Sequence, residues 1–213
     1  MTILPALYPI LDLDALACTG DDAIATLCSV ARELAAAGCT VMQYRAKHLA
    51  VRDALAQARE LKRILPNVTW IMNDRADLCL AAGFAGVHVG QDDLSPEAVR
   101  RVVGPDRIVG CSTHNPVQVA EALAWPVDYI AIGPVFATGS KQRPDPVVGL
   151  EGVAEARRLL LASGRDIPLV AIGGITRANA AAVRAAGATS LAVIGDLCSS
   201  PGDSAEEFFR LMM

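Results

Sequence analysis

The sequence predicts a closed α/β barrel of eight strands and eight helices, with residues 1–213 forming a single domain. Three observations lead there. Eight short apolar runs alternate with eight stretches of helical spacing, which calls for a parallel sheet with helical crossovers. Hydrophobic residues make up 53% of the chain and aromatic residues only 4%, so Ala, Val, Leu and Ile must build the core, as suits parallel strands buried on both faces. The length of 213 residues lies within the range of about 200–250 that a (β/α)8 barrel of the TIM type occupies as one domain. An open doubly wound sheet, the alternative, needs a different number of units, and no GxGxxG follows the first strand.

The elements follow in order. Leu7–Leu13 is the first strand. Asp21–Ala37 has helical apolar spacing, acids in its first turn and Gly38 as its stop. Thr40–Tyr44 is the second strand, and Leu49–Leu65 is a helix ended by Pro66. Val68–Met72 and Gly86–Val89 are the third and fourth strands, joined by an Ala/Leu-rich helix, Ala76–Ala82, that Gly83 closes. Ser95-Pro96-Glu97 opens the fourth helix with a capping hydroxyl, a proline at the first helical position and an acid at the positive end. Arg107–Cys111 is the fifth strand, and Asn115-Pro116 opens a helix running to Ala124. Asp128–Ile132 is the sixth strand, followed by a long loop, Gly133–Val148, and a helix over Leu150–Ala162. Pro168–Ile172, a helix over Thr176–Ala186, the strand Ser190–Ile194 and a last helix, Ser204–Leu211, complete the chain.

In such a barrel the working face is where strand C-termini and the loops after them emerge, so those positions carry the functional reading. After the second strand, Gln43, Arg45 and Lys47 share one direction if the extended backbone continues. An amide, a guanidinium and an ammonium on one side suit an anion such as diphosphate. Asn73 and Asp74 follow the third strand, and Gln91, Asp92 and Asp93 follow the fourth. Neighbouring strands bring Asp74 close to a carboxylate of the second group, and like charges so held need a proton or a counterion. Mg2+, bound by one or two carboxylates plus substrate phosphate oxygens, supplies it.

Ser112 is a hydrogen-bond donor after the fifth strand, and His114 is either a proton carrier or part of a helix-capping turn. His88, inside the fourth strand, reads as an orienting residue. The long loop brings Thr138, Ser140 and Lys141, which suit an oxygen-rich anion. Gly173-Gly174 and Ile194-Gly195 follow the last two strands, where barrels often grip a phosphate. One region is cationic with paired carboxylates and the other is neutral and glycine-lined, a division that suggests two phosphorylated substrates and a departing diphosphate.

Composition limits the partners. The net charge is −4, from 19 basic and 23 acidic residues, and there is no basic run for nucleic acid. No apolar run approaches the roughly 20 residues of a membrane helix, and the start MTILPALYPILDLD resembles a strand rather than a secretory leader. The six cysteines form no CxxC pair and read as reduced, mostly buried thiols of a cytoplasmic protein. The expected partners are small molecules; self-association is left open.

Gln43-Tyr44-Arg45-Ala46-Lys47, Asn73-Asp74, His88-Val89-Gly90-Gln91-Asp92-Asp93, Gly110-Cys111-Ser112-Thr113-His114, Gly133-Pro134 with Thr138-Gly139-Ser140-Lys141, and Ile172-Gly173-Gly174-Ile175-Thr176 occur in one order. In that set the chain resembles the thiamine-phosphate synthase family over nearly its whole length. The resemblance implies a transferase that joins 4-amino-2-methyl-5-hydroxymethylpyrimidine diphosphate to 4-methyl-5-(2-phosphooxyethyl)thiazole, giving thiamine phosphate and diphosphate. It implies that Gln43, Arg45, Lys47, Asn73, Ser112 and Lys141 hold the pyrimidine diphosphate, and that Asp74 and Asp93 hold Mg2+. It implies that Thr138, Ser140, Gly174, Ile194 and Gly195 meet the thiazole phosphate. Arg45, Lys47 and Lys141 would stabilise the departing diphosphate, leaving no task for a protein base. The chain departs from the family pattern in Asp92 for a frequent Glu, Ser140 for a common Thr and Gly195 for a usual Ser; the last removes one hydroxyl donor to phosphate. A thiazole tautomerase on the same barrel, with His114 moving the proton, and a non-catalytic sensor of thiamine precursors are the competing readings.

Overall fold

The computed structural model describes residues 4–17, 23–139 and 145–212. Its elements in order are β1 (Leu7–Asp12), α1 (Ala23–Ala36), β2 (Val41–Arg45), α2 (Val51–Ile64), β3 (Thr69–Asn73), α3 (Ala76–Ala82), β4 (Gly86–Val89) and α4 (Pro96–Val103). There follow β5 (Ile108–Thr113), α5 (Pro116–Ala122), β6 (Tyr129–Ile132), α6 (Gly149–Ala162), β7 (Leu169–Ile172), α7 (Ala180–Ala185), β8 (Ser190–Val193), a 3-10 turn at Gly195–Leu197, and α8 (Pro201–Met212). Every strand pairs parallel with the next, and Leu7 opposite Leu191 and Tyr8 opposite Ala192 close β1 onto β8. The expected (β/α)8 barrel is therefore observed.

Alternation along each strand sends one set of side chains into the barrel and the other towards the helices. The outer set joins the helical shell in one continuous core that includes Leu11, Leu27, Leu61, Val87, Val153 and Phe208. The inner set is smaller, with Tyr8, Ile10, Val41, Ile71, Tyr129, Ala131, Val170 and Ala192 packed together. Two of the chain's few rings thus stand in the barrel itself, Tyr8 edge-on to Tyr129 at 6.0 Å.

The N-terminal face of the sheet is held by arginines that satisfy loop carbonyls. Arg100 donates to Pro126 O and pairs with Asp128 at 2.6 Å, and Arg165 donates to Leu123, Trp125 and Val127 carbonyls. No helix among the described residues is long and apolar enough to cross a membrane.

Several boundaries move for identifiable reasons. β5 runs on to Thr113 because Ser112 pairs with Ala131 and Thr113 with Ile132, so Ser112 stands on the strand rather than in the loop. α7 starts at Ala180 rather than Thr176 because the Asn179 side chain folds back onto Thr176 N and Gly174 O, at 2.9 and 3.0 Å. α8 starts at Pro201, three residues before the expected Ser204, with proline at its first position. The expected helix start at Asp21 and Asp22 lies outside the described residues, as does Cys18.

Of the five described cysteines, Cys28, Cys39, Cys79 and Cys111 are buried and Cys198 is half-buried. Burial pushes the thiols of Cys39 and Cys111 up to about 12 and that of Cys79 up to about 11. A thiol kept protonated is a poor nucleophile. Iodoacetamide at neutral pH is therefore expected to spare these three in the folded protein. Mass spectrometry checks this, and rapid labelling of Cys111 would contradict it.

Candidate functional site

The ends of β1 and β2 lie in register, with Asp12 opposite Arg45. The Arg45 guanidinium meets the Asp12 carboxylate at 2.5 Å, and the two side chains are 13% and 2% exposed. Gln43 points into the barrel, where its amide Nε2 donates to Tyr8 Oη at 3.0 Å. Lys47, beyond the strand, reaches Asp74 at 3.3 Å. The donor wall expected from residues 43, 45 and 47 is thus balanced from within, by a carboxylate on each cation. Asp12, which the reading of strand ends passed over, is one of them.

Asn73 closes β3 opposite His88, and Asp74 follows in the left-handed region at φ 60, its N–H bonded to His88 O at 2.8 Å. A non-glycine residue there carries strain that its surroundings must hold, and such residues cluster at working sites. Asp93 lies against Asp74 while accepting from Gly90 N at 2.8 Å. Burial first, then the charge of Asp93 and a hydrogen bond with it, hold the Asp74 carboxyl above the usual range, with Lys47 opposing. Asp92 is exposed beside this pair. Gln91, also exposed, donates from its side-chain amide to Ser112 O at 2.5 Å.

No group of three or more His, Cys, Asp or Glu able to hold a metal occurs among the described residues. Two carboxylates that cannot both carry charge cheaply fit Mg2+, which keeps several waters and completes its shell with substrate phosphates. The donors are all oxygen, as that ion prefers.

On the far side of the barrel mouth, the loop after β6 folds over β7. Val135 N donates to Ile172 O at 2.9 Å and Phe136 N to Gly173 O at 3.0 Å. Gly174, at φ +64, lies so close beneath this loop that a Cβ would stand 2.7 Å from Ala137 O and from Phe136 Cβ. Phe136 and Ala137, just ahead of Thr138, are thus seated on Gly174; Ser140 and Lys141 lie outside the described residues. Ile194 caps the 3-10 turn that Gly195 opens, and Gly195 is exposed at the mouth.

Arg177 ties the loops after β7 and β8 together. Its backbone N and its Nε both donate to Asp196 Oδ2, at 2.8 and 2.9 Å, and its Nη1 reaches Glu207 on α8 at 2.8 Å. The amides of Thr176 and Arg177 are therefore already bonded, to Asn179 and Asp196 side chains. The expected helix N-terminus at Thr176 therefore does not present these two amides to a phosphate.

His114, half-buried, has its Nδ1 2.6 Å from Gly133 O and its Nε2 3.5 Å from Asp145. Its backbone N–H is held by Gln118 Oε1 at 2.7 Å, and Asn115 caps α5. These contacts are those of the capping turn.

A family profile described as thiamine monophosphate synthase matches residues 15–197. A thiamine-phosphate synthase of Koribacter versatilis is 55% identical over 211 residues, 98% of this chain and 96% of the relative. The chain belongs to the thiamine monophosphate synthase family.

The family likeness extends to a Methanoculleus marisnigri thiamine-phosphate synthase, 43% identical over 167 residues, 78% of this chain and 77% of that one. Among solved structures, a thiamine phosphate pyrophosphorylase of Pyrococcus furiosus superposes with a TM-score of 0.81 at 27% identity, covering 97% and 94% of the two chains. A 3-hexulose-6-phosphate synthase at 16% identity and TM-score 0.69 shares the fold alone. The family match starts after β1, so Tyr8 and Asp12 stand ahead of the matched span. With Tyr129 and Arg177 they are the residues missed in the sequence. An aspartate closing the first strand was a signal for Asp12. Nothing local marks the other three.

Proposed function

We propose that this chain couples the pyrimidine diphosphate to the thiazole phosphate, forming thiamine phosphate and releasing diphosphate with Mg2+ as cofactor, in the cytoplasm. The observation that carries the reading is the Asp74–Asp93 pair, set against Lys47 at the ends of adjacent strands, in a chain so similar to thiamine-phosphate synthases. Gln43, Arg45, Lys47, Asn73, Ser112 and Lys141 hold the pyrimidine diphosphate. Thr138, Ser140, Gly174, Ile194 and Gly195 receive the thiazole phosphate. Asp74 and Asp93 hold Mg2+, which when bound offsets the charge of the diphosphate.

The reaction needs little from the protein beyond placement and charge. The bond between the exocyclic methylene and the diphosphate oxygen breaks, and its electron pair leaves with the diphosphate. The electron-rich aminopyrimidine carries the resulting cation. The thiazole nitrogen then supplies its lone pair, and no proton has to be removed. Arg45, Lys47 and Lys141 stabilise the leaving group as its charge grows.

A coupling assay tests the reading. Equal, Mg2+-dependent release of diphosphate and thiamine phosphate is expected. Binding of both substrates without product would overturn it and favour the thiazole tautomerase. His114, whose ring is held between Gly133 and Asp145, is poorly placed for that proton transfer.

The Arg177 clamp adds a prediction. Arg177→Ala should raise KM for the thiazole phosphate roughly three- to tenfold, through misplacement rather than lost contact. KM for the pyrimidine diphosphate should not move. An equal rise in both would show that the clamp serves the fold and not the phosphate loops.

A further inference from the structure

Five side chains form an unbroken chain of hydrogen bonds across the barrel. Gln43 Nε2 lies 3.0 Å from Tyr8 Oη, Tyr8 Oη 3.1 Å from Tyr129 Oη, Tyr129 Oη 2.9 Å from His88 Nδ1, and His88 Nε2 2.8 Å from Ser112 Oγ. The chain starts on β2, passes through β1, β6 and β4, and ends on β5. Both ends are residues assigned to the pyrimidine diphosphate. The three in the middle are assigned to nothing. Tyr8 and Tyr129 are buried, and burial pushes both phenols far above their ordinary range, so they stay neutral.

We infer that this relay has a single polarity, which holds His88 as its Nε2–H tautomer and leaves the Ser112 hydroxyl to donate outward to an anionic oxygen. The inference deepens the proposed function and rests on it for the identity of the anion as diphosphate.

Counting protons gives the direction. Gln43 Nε2 donates and Tyr8 Oη accepts, so among the described residues Tyr129 Oη is the partner left for the Tyr8 proton. Tyr129 then has its own proton for His88 Nδ1. A neutral imidazole with Nδ1 accepting carries its proton on Nε2 and gives it to Ser112 Oγ. The Ser112 proton alone has no acceptor within the relay. The reversed relay, with the Gln43 carbonyl accepting, would turn the Ser112 proton back towards His88 and present lone pairs to the anion. The amide on β2 therefore sets what the hydroxyl on β5 offers.

The middle of the relay is built into the packing. A Cβ on Gly110 would stand 2.0 Å from Tyr129 Cζ, the carbon that bears the hydroxyl, so glycine there leaves room for the ring. His88 stacks on the same ring at 5.5 Å. Tyr8, His88 and Tyr129 are accordingly positioning residues, acting through Gln43 and Ser112.

The test uses the full chain and the isosteric Tyr129→Phe, which keeps the ring and removes one hydroxyl. Nitrogen-15 NMR of His88 at neutral pH should show the Nε2–H tautomer in the parent, and a shift towards the other tautomer in Tyr129→Phe. Inorganic diphosphate with Mg2+ should bind Tyr129→Phe and Ser112→Ala each roughly 10- to 100-fold more weakly, the size of one hydrogen bond to a charged group. The double variant should be no weaker than Ser112→Ala alone. An Nδ1–H tautomer in the parent would overturn the relay, as would losses that add in the double variant. If the tautomer and the non-additive loss hold while no thiamine phosphate forms in the coupling assay, the relay stands and the assigned reaction falls.

Discussion

Asp74→Asn is expected to lower coupling turnover by roughly 10²–10³-fold, as does removal of one group aimed at developing charge. Asparagine is the informative replacement because Asp74 sits at φ 60, a conformation that asparagine adopts more readily than alanine. The backbone bond to His88 O is kept. What disappears is one of two carboxylates that repel each other, so the folded chain should be at least as stable as the parent. Thermal unfolding of the metal-free protein and turnover across a Mg2+ series separate the two effects. Near-normal turnover at low Mg2+ would show that Asp74 is not a metal ligand.

Arg45→Met should be strongly destabilising. It leaves the Asp12 carboxylate, 2% exposed, without its partner. Stranding one member of a buried ion pair costs about 3–5 kcal/mol. Adding Asp12→Leu removes the stranded charge and should recover most of that loss. Activity should not return, because the cation assigned to the diphosphate is still missing. Denaturant unfolding of both variants, read beside turnover, decides between roles. Recovery of activity in the double variant would mean that Arg45 serves Asp12 and not the substrate.

The barrel was legible in the sequence because each unit announces its own limits. Helical apolar spacing, Gly38, Gly83 and Pro66 as stops, and Ser95-Pro96 and Asn115-Pro116 as starts are local signals with local causes. A strand C-terminus in a parallel barrel has one place to go, so the polar residues at those ends were legible too. Thr176 was misread as a helix start because the Asn179 side chain, accepting from Thr176 N and donating to Gly174 O, holds this stretch as a turn ahead of the helix.

The sequence by itself determined which side chains stand at the barrel mouth. Only the tertiary structure decided which of them face each other. Asp12 meets Arg45 because β1 and β2 pair in one register, and a shift by one residue would send either side chain to the other face. Tyr8 and Tyr129 are 121 residues apart, yet closure of the sheet brings their hydroxyls to 3.1 Å. Arg177 joins two loops and a helix that no periodicity links. Periodicity is set by neighbours along the chain; partnership across a barrel is set by its closure and register, which no short window of sequence contains.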